Sequence, residues 1–275
     1  MKKLIITAAI TGAETTREKN PALPVTPEEQ ARDARACVEA GAAIIHLHVR
    51  NKDGNPSQHL SDFKRSMDAI QAECNPVPII QLSTGGAIGD SIEKRTAPLV
   101  QLRPEMASLN VGSMNFGDDV FINHPGEVAQ LAAIFKKKGV VPEVEVYEPG
   151  HIGIARRLVD SGLMDKPVHY QFVLGVPGGL GGDIKSLVFM RDHIDADDSW
   201  AVAGIGRFEL PLAVHAIMMG GNVRVGLEDN VYFKKGQLAS SNAQLVERIA
   251  RIAKEVNRDI ASPREAREEL GLHLF

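Results

Sequence analysis

His46 and His48 stand one residue apart at the end of the apolar run Ala43-Ile44-Ile45. On a β-strand, alternate residues face the same side, so both imidazoles share one face while Leu47 takes the other. One metal ion can then accept both rings. On a helix the same spacing would point them apart, so the reading depends on a strand; the alternative is two hydrogen-bonded polar residues at the rim of a fold. A second cluster closes the run Asn222 to Asn230, where Arg224, Gly226 and Glu228 would share a strand face and Asp229 lies at the strand's exit. Two imidazoles and one carboxylate form an open donor set typical of catalytic zinc, with positions left for water or substrate oxygens. For Glu228 and Asp229 the other reading is an internal ion pair with Arg224 or a cap on the next helix.

Elements of alternating type must bring these clusters together. Short β-branched runs read as strands at Leu4 to Ile10, Ala43 to Val49, Pro78 to Ser83, Met106 to Val111, Glu143 to Tyr147, Val168 to Val173, Trp200 to Ile205 and Asn222 to Leu227. Amphipathic stretches between them read as helices: Pro27 to Ala40 behind a Thr26 cap, Ser61 to Glu73, Ser91 to Leu99, Pro125 to Lys138, His151 to Ser161, Ile184 to His193, Glu209 to Met219 and Asn242 to Val256. Eight strands, each followed by a helix, predict a single (β/α)8 TIM barrel over residues 1–275. An open doubly wound sheet uses the same units, but the first turn, Thr11-Gly12-Ala13-Glu14, lacks the GxGxxG of dinucleotide binding. Ala261 to Phe275 reads as a charged helical extension, starting from about residue 258, that packs across the barrel or against a neighbouring subunit.

Barrel active sites form where strands end and the following loops begin. That singles out Glu14, His46, His48, Arg50, Ser83, Thr84, Ser108, Asn110, Glu143, Glu145, Arg224, Glu228 and Asp229. Glycines gather at the same places, among them Gly85 and Gly86 and the loop Gly175 to Gly182. That loop offers backbone N–H groups for a pyrophosphate at a helix start, although such glycines serve equally as tight turns.

The chain has 275 residues, 44% hydrophobic and 24% charged, enough for one globular domain with a large core. A net charge of −4 with intermixed signs gives no footprint for nucleic acid or an anionic membrane, which leaves a small molecule as the partner. Cys37 and Cys74 lack ligand spacing and read as plain thiols of a reducing compartment. The apolar start MKKLIITAAI is too short for a signal peptide or a membrane span, so a soluble, cytoplasmic protein is expected.

Beyond these readings, the chain resembles the β-keto acid cleavage enzymes almost end to end. The resemblance is carried by Thr11 to Glu14, Ala42 to Arg50, Gln81 to Gly86, Arg103 to Asn110, Pro142 to Tyr147 and Arg224 to Asn230. It implies a zinc-binding (β/α)8 barrel, a transferase joining a β-keto acid to acetyl-CoA, and a homo-oligomer, with a tetramer favoured. Position by position, it implies that His46, His48 and Glu228 ligate the metal, Asp229 is the general base and Arg224 its neighbour. Ser83 and Ser108 match hydroxyl positions near the reacting groups, with Thr84, Gly85 and Asn110 beside them as substrate-binding positions. Glu14 and Glu143 match positions near the distal end of the substrate, where two carboxylates would favour a cationic β-keto acid such as 3-keto-5-aminohexanoate. Asn222 departs from the pattern, which often has histidine there. An amidohydrolase-like hydrolase also carries HxH on a barrel strand, but on the first, with a lysine on the fourth and histidines on the fifth and sixth. Only His169, near the start of the sixth strand, echoes that set. A barrel that binds metal or ligand without turnover is the non-enzymatic alternative.

Overall fold

The computed structural model describes residues 2–86 and 90–272. Eight parallel strands close into a barrel: β1 (Ile6–Ala9), β2 (Ile44–Leu47), β3 (Ile79–Leu82), β4 (Met106–Asn110), β5 (Val141–Val146), β6 (His169–Leu174), β7 (Ser199–Gly204) and β8 (Asn222–Val225). Each pairs with its sequence neighbours, and β8 pairs with β1 to complete the ring. The helices α1 (Pro27–Ala40), α2 (Leu60–Glu73), α3 (Ile92–Leu102), α4 (Pro125–Lys138), α5 (Pro149–Asp160), α6 (Ile184–Asp192), α7 (Glu209–Met219) and α8 (Asn242–Glu255) follow the strands in turn. The (β/α)8 expectation therefore holds.

Local chemistry explains the boundaries. At the start of α1, Thr26 accepts from Glu29 N while Glu29 reaches back to Thr26 N, a reciprocal capping box with Pro27 in the first turn. Gly41 ends that helix at φ 117°, a conformation that a side chain would strain. Strand β8 is shorter than the expected Asn222 to Leu227. It stops at Val225 because Gly226 turns away at φ 148°, and a Cβ there would lie 2.2 Å from the Ala9 carbonyl oxygen.

A ninth helix, α9 (Pro263–Leu270), lies across the N-terminal end of the barrel. Its Ala266 and Leu270, with Ala261 and Leu272, pack on Ile5, Ile44, Ile79 and Met106 and seal that end with apolar surface. Residues 273–275 of the expected extension lie outside the described residues. Among the described residues, three two-stranded ribbons decorate the opposite end, including the hairpin Met114–Phe116 with Asp119–Phe121. Cys37 and Cys74 are free and buried, as expected of plain thiols. Among the described residues, no helix is long and apolar enough to cross a membrane.

Candidate active site

With the N-terminal end sealed, a cavity of about 450 Å³ opens among the loops at the C-terminal ends of the strands. His46, in the last turn of the pleat on β2, and His48, just beyond it, turn their rings to the same side with centroids 5.3 Å apart. Across from them, β8 ends and the turn Gly226 to Asn230 begins. Its shape is set by Asp229 N and Asn230 N, both donating to the Gly226 carbonyl. Glu209 of α7 braces this turn by accepting from Gly226 N and from Asn230 Nδ2. Asn242 of α8 accepts from Leu227 N. Space for Glu228 is provided by Gly12 at φ 70°, whose Cβ would stand 2.7 Å from Glu228 Cγ.

The result is a compact donor cluster. Glu228 Oε1 lies 3.6 Å from His46 Nε2 and 3.5 Å from His48 Nε2, and one ligand atom from each of the three residues lies within 4.8 Å of the others. Burial, reinforced by the nearby Arg224 charge, lowers the His46 pKa to about 3, so its ring is neutral and its lone pair free for a metal. Burial also lowers His48. Burial raises the Glu228 pKa, but the Arg224 charge, the largest opposing cause, and its hydrogen bond help bring the carboxyl to about 2. Glu228 Oε2 is buried without a hydrogen-bond partner. Neutral imidazoles, an ionised carboxylate and an unsatisfied oxygen together fit a divalent cation.

Gln81, on β3 beside His46, completes this arrangement from behind. Its Oε1 lies 2.6 Å from His46 Nδ1. Because Nε2 faces Glu228, Nδ1 must carry the proton and donate it to Gln81, which fixes the ligating tautomer. Sequence reasoning missed Gln81, since a lone amide inside an apolar strand carries no spacing signal.

Arg224 ties the cluster to its neighbour. Its Nε and Nη2 donate to Asp229 Oδ2 and Oδ1, Nη2 also donates to Glu228 Oε1, and Nη1 donates to Glu145 Oε1 at 3.2 Å. Burial raises the Asp229 pKa against the opposing pull of Arg224. Three acids around one guanidinium hold it charged, well above its ordinary range, although burial alone would lower it.

The remaining expected residues divide into two groups. Glu14, Ser83, Gly85 and Asn110 line the cavity, the last donating to Glu145 Oε2 at 2.6 Å. Ser83 Oγ accepts from Gly85 N, leaving its O–H to donate into the cavity. Thr84 and Ser108 are buried off the cavity wall and brace the loop instead: Thr84 Oγ1 donates to the Ser108 carbonyl, and Ser108 Oγ accepts from Thr84 N.

Glu143 requires a correction. It sits in a lower layer of the barrel, in register with His169 at the start of β6, and does not line the cavity. Burial and the charge of Glu145 raise its pKa to about 7. The carboxylate at the mouth is Glu145, two residues further along the same face of β5. The depth rule for barrels, that strand C-termini line the site, favours Glu145 over Glu143.

His169, which echoed the amidohydrolase pattern, lies at the sealed end, where Nε2 contacts the Leu270 carbonyl and Nδ1 contacts Ser199 Oγ. Asn222 is also at that end, accepting from Ile5 N. The loop Gly175 to Gly182 leads into α6, but Asp183 caps that helix start by accepting from Ser186 N, which disfavours a phosphate there.

Comparison with known proteins identifies the relatives of this chain. Residues 3–272 match the model of the beta-keto acid cleavage enzyme family. The chain is 50% identical over 273 residues to the 3-keto-5-aminohexanoate cleavage enzyme of Fusobacterium nucleatum, covering 99% of both chains. It is 40% identical over 271 residues to the 3-oxoadipate:acetyl-CoA acetyltransferase of Cupriavidus necator, covering 98% of this chain and 94% of that one. In fold it is similar to the apo structure of ObcA, with a TM-score of 0.79 at 20% identity over 92% of this chain and 66% of that one. A match along nearly the whole chain, with Arg224, Glu228 and Asp229 gathered at one barrel mouth, places this protein in the β-keto acid cleavage enzyme family.

Proposed function

We propose that the protein transfers the acyl part of a β-keto acid to CoA, using acetyl-CoA as co-substrate and releasing acetoacetate. The observation that carries this is Arg224 joining Glu228, beside two neutral imidazoles, to Asp229 in one cavity. His46, His48 and Glu228 would hold a divalent ion, for which zinc suits the N/O donor set. When bound, such an ion supplies Lewis-acid stabilisation of the enolate that forms when a β-keto acid loses its α-proton.

Asp229 takes that proton on a carboxylate oxygen. Arg224 holds the carboxylate plane in place through two hydrogen bonds and remains positively charged while the proton arrives. The α-carbon then attacks the acetyl thioester carbonyl, forming a C–C bond and expelling CoA thiolate. The thiolate attacks the original keto carbon, and the bond from that carbon to the α-carbon breaks. The departing α-carbon recovers the proton from Asp229. The products are acetoacetate and the new acyl-CoA, with no net gain or loss of protons. Ser83 and Asn110 line the cavity and are placed to hydrogen-bond substrate oxygens.

For the keto acid itself we infer a cationic tail of the 3-keto-5-aminohexanoate type. Glu143 no longer supports this, but Glu14 does: it lines the cavity, and its carboxylate acts on the Arg50 charge from a distance rather than in a direct ion pair among the described residues. The relative with 50% identity, named for that substrate, supports the same choice. The test is turnover of acetyl-CoA with 3-keto-5-aminohexanoate, 3-oxoadipate and a neutral β-keto acid. Acetoacetate and acyl-CoA should form fastest with the aminated acid. Preference for the dianionic acid would overturn the substrate, and no product with any of them would overturn the activity.

A further inference from the structure

The cavity wall has a polar side and an apolar strip. Glu14, His48, Arg224, Glu228 and Asp229 come from the arc formed by β8, β1 and β2 with their loops. The facing arc, β4 through β7, contributes Asn110 and Glu145, which join the Arg224 network, and beside them the apolar Phe116, Phe121, Tyr147, Val173, Val176 and Ile205. Tyr147, Val173 and Val176 belong to an apolar cluster separate from the main barrel core, with Phe116, Phe121 and Ile205 packed against it. Phe116 meets both Phe121 and Tyr147 edge to face, with centroids 6.2 Å apart in each pair.

This wall is a built surface. Gly117 N on the hairpin donates to the Pro177 carbonyl on the loop after β6 at 2.9 Å. Gly178 presses so closely on the hairpin that a Cβ would stand 2.1 Å from the Asn115 carbonyl oxygen. Two loops thus hold each other in place and present a continuous apolar strip to a cavity that opens to solvent. Such a strip favours an apolar or amphipathic ligand. A short β-keto acid finds partners for its oxygens among the polar residues, Ser83 and Asn110 included, and leaves this strip uncovered.

We propose that the strip is the subsite for the pantetheine arm of the acyl-CoA, laying the thioester between the strip and the polar side with its carbonyl toward Asp229. The inference rests on acyl-CoA being the co-substrate, as proposed above. The arm is a thin chain of methylenes and two amides ending in sulfur. Its length crosses an apolar strip from the mouth to the reacting centre, whereas the nucleotide end stays outside.

The test uses free CoA as the probe in titration calorimetry, together with steady-state kinetics, on the wild type, Phe121→Ala, and the milder Phe121→Leu and Val176→Ala. Expected is about tenfold weaker CoA binding and a matching rise in KM for acetyl-CoA, with KM for the β-keto acid within about twofold of wild type. The milder variants should show smaller changes in the same direction. A rise in KM for the keto acid with CoA binding unchanged would overturn the subsite and assign the strip to the keto acid's tail. Wild-type protein that binds no CoA would overturn it as well. CoA binding that the variants weaken, without acetoacetate from any β-keto acid, would support the subsite while removing the proposed activity.

Discussion

Arg224 grips Asp229 with two parallel hydrogen bonds, Nε to Oδ2 and Nη2 to Oδ1, each 2.8 Å long, and the same Nη2 reaches Glu228 at 2.6 Å. Two carboxylates adjacent in sequence are therefore held by one guanidinium in different surroundings. Glu228, beside two imidazoles, is driven toward its ionised form, with the Arg224 charge the largest cause in that direction. Burial moves Asp229 the other way, toward accepting a proton. Environment thus suits one carboxylate to a cation and the other to a proton, although both are simple carboxylates.

Replacing Asp229 with Asn keeps the shape and removes the proton acceptor. We expect kcat to fall by roughly 10²–10⁴-fold, while His46, His48 and Glu228 keep the metal. Turnover and metal content measured on the same preparation check this; near-normal turnover would remove Asp229 from the base's role.

Gln81 acts through His46. Substituting Gln81→Met preserves volume but leaves His46 Nδ1 without its acceptor, so metal affinity should weaken by about 10–100-fold. Competition against a chelator reads the affinity without any dependence on turnover. His46→Ala should lose the metal at concentrations where Gln81→Met still retains part of it, and an affinity in Gln81→Met equal to wild type would show that Gln81 does not orient the ligand.

Glu143 supplies a pH prediction. Its folded pKa of about 7 exceeds the ordinary 4.5, with burial the main cause and Glu145 adding to it. The folded state therefore holds a proton that the unfolded chain releases as pH rises above 4.5. The stability lost this way grows through that window and levels off above about pH 7. It amounts to at most about 3 kcal/mol. Glu143→Gln, neutral at every pH, should match wild type at about pH 4.5 and melt a few degrees higher at about pH 8. Equal Tm differences at the two pH values would contradict the buried, proton-retaining environment.

The parts of this architecture legible in the sequence were those encoded locally. Period-two runs and capped amphipathic stretches announce strands and helices, and the HxH of β2 announces one shared face. What alternation does not encode is depth. Glu143 and Glu145 face the same way, and the register of β5 against β6 shows which one reaches the mouth. The turn that carries Glu228 was likewise hidden, because Gly226 leaves the strand through backbone contacts with Ala9, made across the β8–β1 seam. Thr84 and Ser108 were recognisable as strand-end hydroxyls, but their partners are each other's backbone, a pairing that sequence distance conceals.

The central claim is that the acetyl group of acetyl-CoA ends in acetoacetate while the keto acid's acyl group leaves on CoA. Acetyl-CoA carrying ¹³C in both acetyl carbons, reacted with 3-keto-5-aminohexanoate, tests it by mass spectrometry of the two products. The account predicts acetoacetate labelled in its keto and methyl carbons and an unlabelled new acyl-CoA. Unlabelled acetoacetate, or label appearing in the new acyl-CoA, would contradict it.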